Sequence, residues 1–366
     1  MSRIDDLIAE YCPDGVEYKR LGDVCKIKNG KDYKHLSAGD IPVYGSGGVM
    51  DVRVDTSVYN RPTVLLPRKG SIANVFYVDG PFWNVDTIFY TVIDEEQVIP
   101  RYLYHVMINA HIENYSTGSA ARPSLTQSAL NKIEIPVPPL PVQEEIVRIL
   151  DSFRSLEAEL EAELEARRKQ YAYYRDQLIR DCPSIRWIPL SEISENCDKS
   201  RKPIKKEKRI AGKTPYYGAS GVVDYVDGFT HEGDYLLLSE DGANLLARSM
   251  PIAYQISGRN WINNHAHVLR IENANLRQLV EMYLNSISLE PYITKGAQPK
   301  LTKQRMETIA VPVPSEDYLS RIVEMLTKFY ALTTSLTDGL PAEIEARRKQ
   351  YEYYRDRLLS FDELAV

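Results

Sequence analysis

The strongest constraint in this chain is a duplication. Glu165-Ala-Arg-Arg-Lys-Gln-Tyr-Ala-Tyr-Tyr-Arg-Asp-Gln-Leu178 returns as Glu345-Ala-Arg-Arg-Lys-Gln-Tyr-Glu-Tyr-Tyr-Arg-Asp-Arg-Leu358, identical at 12 of 14 positions and 180 residues later. One unit has been used twice, and the fold must accommodate both copies. The period is too long for a solenoid and fits one domain plus one helix. At 366 residues the chain has room for two or three domains, each burying its own core.

The rest of the chain aligns under the same duplication. Cys12-Pro-Asp-Gly-Val-Glu-Tyr-Lys-Arg-Leu-Gly-Asp23 and Cys182-Pro-Ser-Ile-Arg-Trp-Ile-Pro-Leu-Ser-Glu192 both open with a proline turn, an aromatic, and Leu before a small residue and an acid. Ile41-Pro-Val-Tyr-Gly-Ser-Gly-Gly-Val-Met-Asp51 matches Thr214-Pro-Tyr-Tyr-Gly-Ala-Ser-Gly-Val-Val-Asp224, and the glycines predict strand–turn–strand. A second strand pair follows in each copy, at Thr63–Gly70 with Trp83–Tyr90 and at Tyr235–Gly242 with Trp261–Val268. A helix is expected at Arg101–Ile112 and Asn275–Ile287. Ile133-Glu-Ile-Pro-Val-Pro138 and Ile309-Ala-Val-Pro-Val-Pro314 are final strands ended by proline.

Each domain then feeds a long helix. Ile146, Leu150, Phe153, Leu160, Leu164, Tyr171, Tyr174 and Leu178 recur in steps of three and four, a heptad-like seam that Glu157 and Arg167 interrupt. The second seam is Ile322, Leu326, Phe329, Leu336, Leu340, Ile344, Tyr351, Tyr354 and Leu358. Glu163/Arg167, Glu165/Lys169, Glu343/Arg347 and Glu345/Lys349 are favourable i,i+4 pairs. The offset between copies grows from 176 to 180 inside these helices, because the second holds one more Leu-x-x-x tetrad. Gly339 and Pro341 should break or kink it.

The expected fold is α+β: two α/β domains in pseudo-twofold arrangement, separated by two long antiparallel coiled-coil helices about 55 Å in span. The boundaries are 1–142 for domain one, 143–181 for the first helix, 182–317 for domain two and 318–362 for the second helix, kinked at 339–341.

These features together resemble the specificity subunit of type I restriction–modification systems. The resemblance rests on the duplicated Glu165–Leu178 and Glu345–Leu358 segments, the Pro-Val-Pro strand ends, the two domain openings and the tetrads. It implies that each domain, as a target recognition domain, reads one half of a bipartite, asymmetric double-stranded DNA site. The helices would set the gap and dock two methyltransferase subunits, with restriction subunits in the full complex. S-adenosylmethionine, ATP and Mg2+ would belong to those partners, and this chain would bind no cofactor itself.

Net charge is −6, so DNA contact requires a local basic face. Phosphate-contact candidates in domain one are Lys28, Lys31, Lys34, Arg61, Arg68, Lys69 and Arg122. Those in domain two are Lys199, Arg201, Lys202, Lys205, Lys206, Lys208, Arg209 and Lys213, then Lys295, Lys300 and Lys303. Gln298 suits base contact, as Tyr44, Ser46 and Tyr217 do chemically. However, Tyr44 and Tyr217 match between the copies. Domains that read different sequences should differ where they touch bases, so matching residues belong to the scaffold. For the partner subunits, the exposed parts of the repeated motif are the candidates: Arg168, Lys169, Tyr173 and Arg175, with Arg348, Lys349, Tyr353 and Arg355.

Catalytic signatures fail. There is no Asn-Pro-Pro-Tyr/Phe motif for adenine methylation. Gly212-Lys213-Thr214 ends like a phosphate-binding loop, but Glu207 stands where that loop needs glycine. Pro13-Asp14 with Glu17-Tyr-Lys19 is too compressed for a nuclease site, and the second copy lacks it. His265 and His267 would share a strand face, as packed or hydrogen-bonded residues rather than metal ligands. The four cysteines lack metal spacing and read as thiols. No apolar run is long enough to span a membrane, and Met1-Ser-Arg-Ile-Asp-Asp has no signal core, so a cytoplasmic protein is expected. The rival reading is a coiled-coil scaffold without DNA recognition; a self-contained nuclease is disfavoured by the missing motifs.

Overall fold

The computed structural model describes residues 3–117, 123–182, 185–294, 299–335 and 337–364. They fall into two compact units. The first joins residues 1–162 to 342–366, and the second is 163–341. Each unit thus takes one globular domain and a stretch of both long helical regions.

In the first unit, helix α1 (Arg3–Tyr11) precedes strand β1 (Glu17–Arg20). Strands β2 (Cys25–Asn29), β3 (Ala38–Gly45), β4 (Gly48–Val54), β5 (Thr63–Pro67), β6 (Phe76–Val78), β7 (Trp83–Asn84) and β8 (Ile88–Ile93) follow. Then come helix α2 (Pro100–Asn109), strand β9 (Glu134–Val137) and the long helix α3 (Leu140–Arg180). One antiparallel sheet has the order β2-β8-β5-β6, and its centre, Thr63-Val-Leu-Leu-Pro67, is buried throughout. A second has the order β4-β3-β7, with Val43 beside Trp83 in parallel. The pair β1–β9 sets Tyr18 against Pro136, where proline is tolerated because no further strand needs its missing N–H.

The first core explains the amphipathic spacing. Tyr102, Leu103 and Met107 on α2 meet Val64, Leu66 and Phe89 from the sheet, and Ile146 and Leu150 cover them from α3. Leu358 and Leu359 join from the far end of the sequence. Beyond them the Val16 amide donates to the Asp362 carbonyl (2.9 Å) and the Leu364 amide to the Val16 carbonyl (2.9 Å). Segments near the two ends of the chain therefore lie side by side.

The second unit repeats the plan. Its strands are β10 (Arg186–Pro189), β11 (Glu195–Asn196), β12 (Ala211–Gly218), β13 (Gly221–Val226), β14 (His231–Glu232), β15 (Tyr235–Ser239), β16 (Ala253–Ile256), β17 (Arg259–Ile262) and β18 (Ala266–Arg270). Helix α4 (Ala274–Leu284), strand β19 (Ala310–Val313), helix α5 (Glu316–Thr334) and helix α6 (Leu340–Leu358) complete the chain. The sheets run β11-β18-β15-β16, β13-β12-β17-β14 and β10-β19. Again the central strand, Tyr235-Leu-Leu-Leu-Ser239, is wholly buried.

Within each unit the long helices pack antiparallel. In the first, Phe153 stacks on Tyr354 at 5.2 Å, and Arg348 reaches back to Glu157 and Glu161, each at 2.5 Å. In the second, Tyr171 meets Tyr330 at 6.0 Å and Tyr174 meets Phe329 at 5.8 Å, over a core of Leu319, Ile322 and Leu326. Phe153, Tyr171, Tyr174, Ile322, Leu326, Phe329 and Tyr354 are seam residues that the three-and-four spacing selected; Leu319 and Tyr330 join them from outside that list.

The second long helix is not one rod. It stops at Thr334, passes an extended Ser335 (φ −63°, ψ 127°) and restarts at Leu340. Pro341 is the second residue of α6, where its missing N–H leaves no hydrogen bond unmade. A Cβ on Gly339 would lie 2.8–2.9 Å from the carbonyl oxygens of Ala331, Ser335 and Leu332, so the turn needs glycine there. Of the break or kink expected from Gly339 and Pro341, the chain takes the break, into two helices.

Candidate nucleic-acid interface

The basic run of domain two is a loop held at both ends. Asp198 and Arg201 root its beginning. The Arg201 guanidinium, with its side chain only 15% exposed, bonds Glu240 at 2.5 Å, the Ala266 carbonyl at 2.8 Å and Asp198 at 3.2 Å. Further along, Arg209 bonds Asp224 at 2.9 Å, donates to the Ile204 carbonyl at 3.1 Å and lies over the Tyr216 ring at 4.3 Å. Trp261 adds a third tie, its indole N–H donating to the Lys202 carbonyl at 2.7 Å. Arg201 and Arg209 therefore act as rivets, each guanidinium tying the loop to the domain.

The lysines remain. Lys199, Lys202, Lys205, Lys206, Lys208 and Lys213 are all exposed. Among the described residues none of the six forms an ion pair with a carboxylate. Five unpaired ammonium groups on a pinned loop, with Lys213 on the adjoining strand β12, are a surface suited to polyanions. Lys300 is half-exposed and pairs with Glu240 at 3.0 Å, and Lys303 with Glu307 at 3.6 Å. Lys295, Gln298 and Arg122 lie outside the described residues.

The buried root of that loop contains a group the sequence did not single out. Asp198, Glu240 and His267 place ligand atoms within 4.8 Å of one another, a set that could hold a metal ion. Arg201 and Lys300 already bring positive charge to the same carboxylates. Burial pushes Asp198 up, but the His267 hydrogen bond and charge and the Val268 amide outweigh it and hold the carboxyl below its usual range. Glu240 is likewise raised by burial and brought lower overall by Arg201 and Lys300. His267 spans Asp198 (2.7 Å) and the Leu301 carbonyl (2.8 Å). His265 sits before the strand, not on one face with His267, and bonds Asp241 at 2.9 Å.

Domain one is less basic. Lys28, Lys31, Lys34 and Arg61 are exposed. Lys69 pairs with Asp86 at 2.7 Å, which holds that carboxyl below its usual range. Arg68 rests against the Phe89 ring at 5.9 Å. Tyr44 and Tyr217 occupy the same register position, the residue of β3 or β12 that pairs with Asn84 or Ile262. Burial raises both phenols, as expected of scaffold residues.

A family model described as the type I restriction modification DNA specificity domain matches residues 13–166 and again 187–346. The chain belongs to this family. It carries two specificity domains, one per structural unit. Among curated relatives, the EcoR124I/EcoR124II specificity subunit of Escherichia coli is 32% identical over 74% of this chain and 73% of its own length. A putative type I restriction enzyme specificity subunit of Haemophilus influenzae is 37% identical over 49% of this chain, and the match spans about half (47%) of that relative. The fold agrees with the S subunit of a type I restriction–modification system from M. genitalium, with TM-score 0.59, 18% identity and coverage of 94% and 95% of the two chains.

The duplicated helical segments that follow the two matched regions repeat in detail. Tyr173 is 62% exposed and Tyr353 60%. Lys169–Glu165 and Lys349–Glu345 are both 3.3 Å. Arg175–Asp176 and Arg355–Asp356 are both 2.7 Å, and each arginine lies 5.8 Å from Tyr171 or Tyr351. One pair differs. Arg348 is held by Glu157 and Glu161, whereas Arg168 is exposed and has no ion pair among the described residues.

Proposed function

We propose that this chain is the sequence-recognition subunit of a type I restriction–modification assembly, reading a split DNA site with one half per specificity domain. The observation that carries this reading is the pairing of a duplicated scaffold with non-duplicated loops. The sheets, central strands and tyrosine positions repeat, while the loop of domain two carries exposed Lys199, Lys202, Lys205, Lys206 and Lys208, a run that the shorter loop of domain one, with Lys31 and Lys34, does not match. A repeated frame with different loops suits two different half-sites at a fixed separation. A scaffold that reads no DNA is disfavoured, because the family match takes in both globular domains.

The near-identical surfaces around Tyr173 and Tyr353 support docking of two copies of one partner, the methyltransferase subunit. This chain then contributes recognition, while S-adenosylmethionine, ATP and Mg2+ serve the methyltransferase and restriction partners. The test is selection from randomised duplexes by the full chain with its methyltransferase partner, at two salt concentrations. A two-part motif with a fixed gap, bound more weakly as salt rises, is expected. Recovery without any motif refutes the proposal.

A further inference from the structure

The two specificity domains offer an internal control for finding base contacts. Positions that share a place in the scaffold, face solvent and differ in chemistry are where different bases can be told apart. The ribbon β12–β13 and its counterpart β3–β4 meet that condition most fully. Their frames coincide at both ends, although β4 is one residue longer than β13. Pro42 pairs with Arg53 and Gly45 with Gly48; Pro215 pairs with Tyr225 and Gly218 with Gly221. Both inner strands bulge at the start, where Gly39 and Gly212 approach the opposing backbone so closely that a Cβ would lie about 2.5 Å from it. In both, the outer strand is the free edge of its sheet.

The outward faces do not coincide. Domain one presents Val49 and Asp51, the counterparts of Val222 and Asp224, and differs at Arg53, an exposed arginine that also donates to the Asp40 carbonyl at 2.8 Å. Domain two presents Val222, Val223 (57% exposed) and Tyr225 (56%), with Ile210 (71%) next to the bulge. Large apolar residues on a free strand edge are an aggregation hazard unless something covers them. The free Lys205, Lys206, Lys208 and Lys213 lie along the same stretch of chain and call for a polyanion. A protein that docks as two identical copies would need this patch in both domains, and domain one lacks it.

A two-stranded ribbon fits the major groove, where the only apolar feature of a base pair is the thymine 5-methyl group. We propose that the outward face of β12–β13 reads thymine methyl groups in its half-site through Val223 and Tyr225. At the matching place, Arg53 of β3–β4, opposite Pro42 as Tyr225 is opposite Pro215, reads hydrogen-bonding edges instead. The inference rests on the DNA-reading function proposed above and specifies the chemistry that one half-site must offer.

The test replaces each thymine of the mapped site, one at a time, by deoxyuridine, which removes only the methyl. Exchange of domain two establishes which half-site it reads. With the full chain, one or more substitutions there should weaken binding about four-fold, the worth of one buried methyl-sized group. In V223S/Y225S, whose altered residues are exposed and whose melting temperature should hold, that penalty should vanish while phosphate-driven binding persists. Uniform indifference to deoxyuridine in that half-site overturns the inference and leaves DNA reading standing. So does loss of partner assembly with unchanged DNA selectivity, which would make the ribbon a protein contact. Absence of any sequence-dependent binding removes the underlying function as well.

Discussion

Replacing Arg201 by methionine separates a rivet from a DNA contact. The change keeps most of the apolar stem and deletes the guanidinium. Lost with it are the bonds to Glu240 (2.5 Å) and the Ala266 carbonyl (2.8 Å) and the ion pair to Asp198 (3.2 Å). Breaking a buried pair so that a charge is stranded costs roughly 3–5 kcal/mol. Here Lys300 stays with Glu240 at 3.0 Å and His267 with Asp198 at 2.7 Å, so neither carboxylate is wholly abandoned. A loss of roughly 2–3 kcal/mol is expected, a fall of about 1 M in the urea midpoint for a domain of this size. Trp261, tied to Lys202, reports the loop by fluorescence. Lys199→Met, on an exposed lysine, should change stability by less than ~0.5 kcal/mol but lower the salt slope of DNA binding by about one unit. Arg201→Met with native stability and that same reduced slope would refute the reasoning.

Other outcomes follow from the same geometry. Burial holds His105 below the ordinary histidine range against the pull of Asp151, and holds His231 low against the Cys197 carbonyl. The unfolded chain takes up protons near pH 6.5 that the folded chain refuses, so stability is full above that pH. It declines below, by at most ~1.4 kcal/mol per pH unit for each histidine. Denaturant midpoints at pH 7.5, 6.5 and 5.5 test this, and His105→Gln should flatten the profile. Gly339→Ala presses a methyl against three carbonyl oxygens at 2.8–2.9 Å and should cost about 1–3 kcal/mol, read by thermal unfolding; an unchanged midpoint contradicts the tight turn. Deleting the tetrad Leu160–Glu163 should alter the gap of the modified site and leave both half-sites unchanged; constant spacing counts against the helices as its ruler.

The frame was legible because the chain states it twice. Paired strands, proline-ended final strands and the helical seam each appear in two versions, so accidental patterns cancel. The break near Gly339 was visible in residue chemistry, although its outcome as two helices depended on Ser335 adopting an extended conformation. Helix α1 was missed, yet Ile4, Leu7 and Ile8 carry the apolar spacing that would have revealed it. The role of Arg201 could not be read locally. Its partner Glu240 is 39 residues away and looks like any acidic turn residue until folding brings the two together. Charge in a sequence shows what is available for binding, not what the fold has already neutralised.

The most direct test of the central claim is a genome-wide map of methylated adenines in cells with the intact chain, without it, and with domain two exchanged for that of a relative. The account predicts one split motif that disappears with the chain. On exchange, one half of that motif changes while the other half is retained. A methylation pattern indifferent to the chain, or a motif that survives the exchange unaltered in both halves, would contradict it.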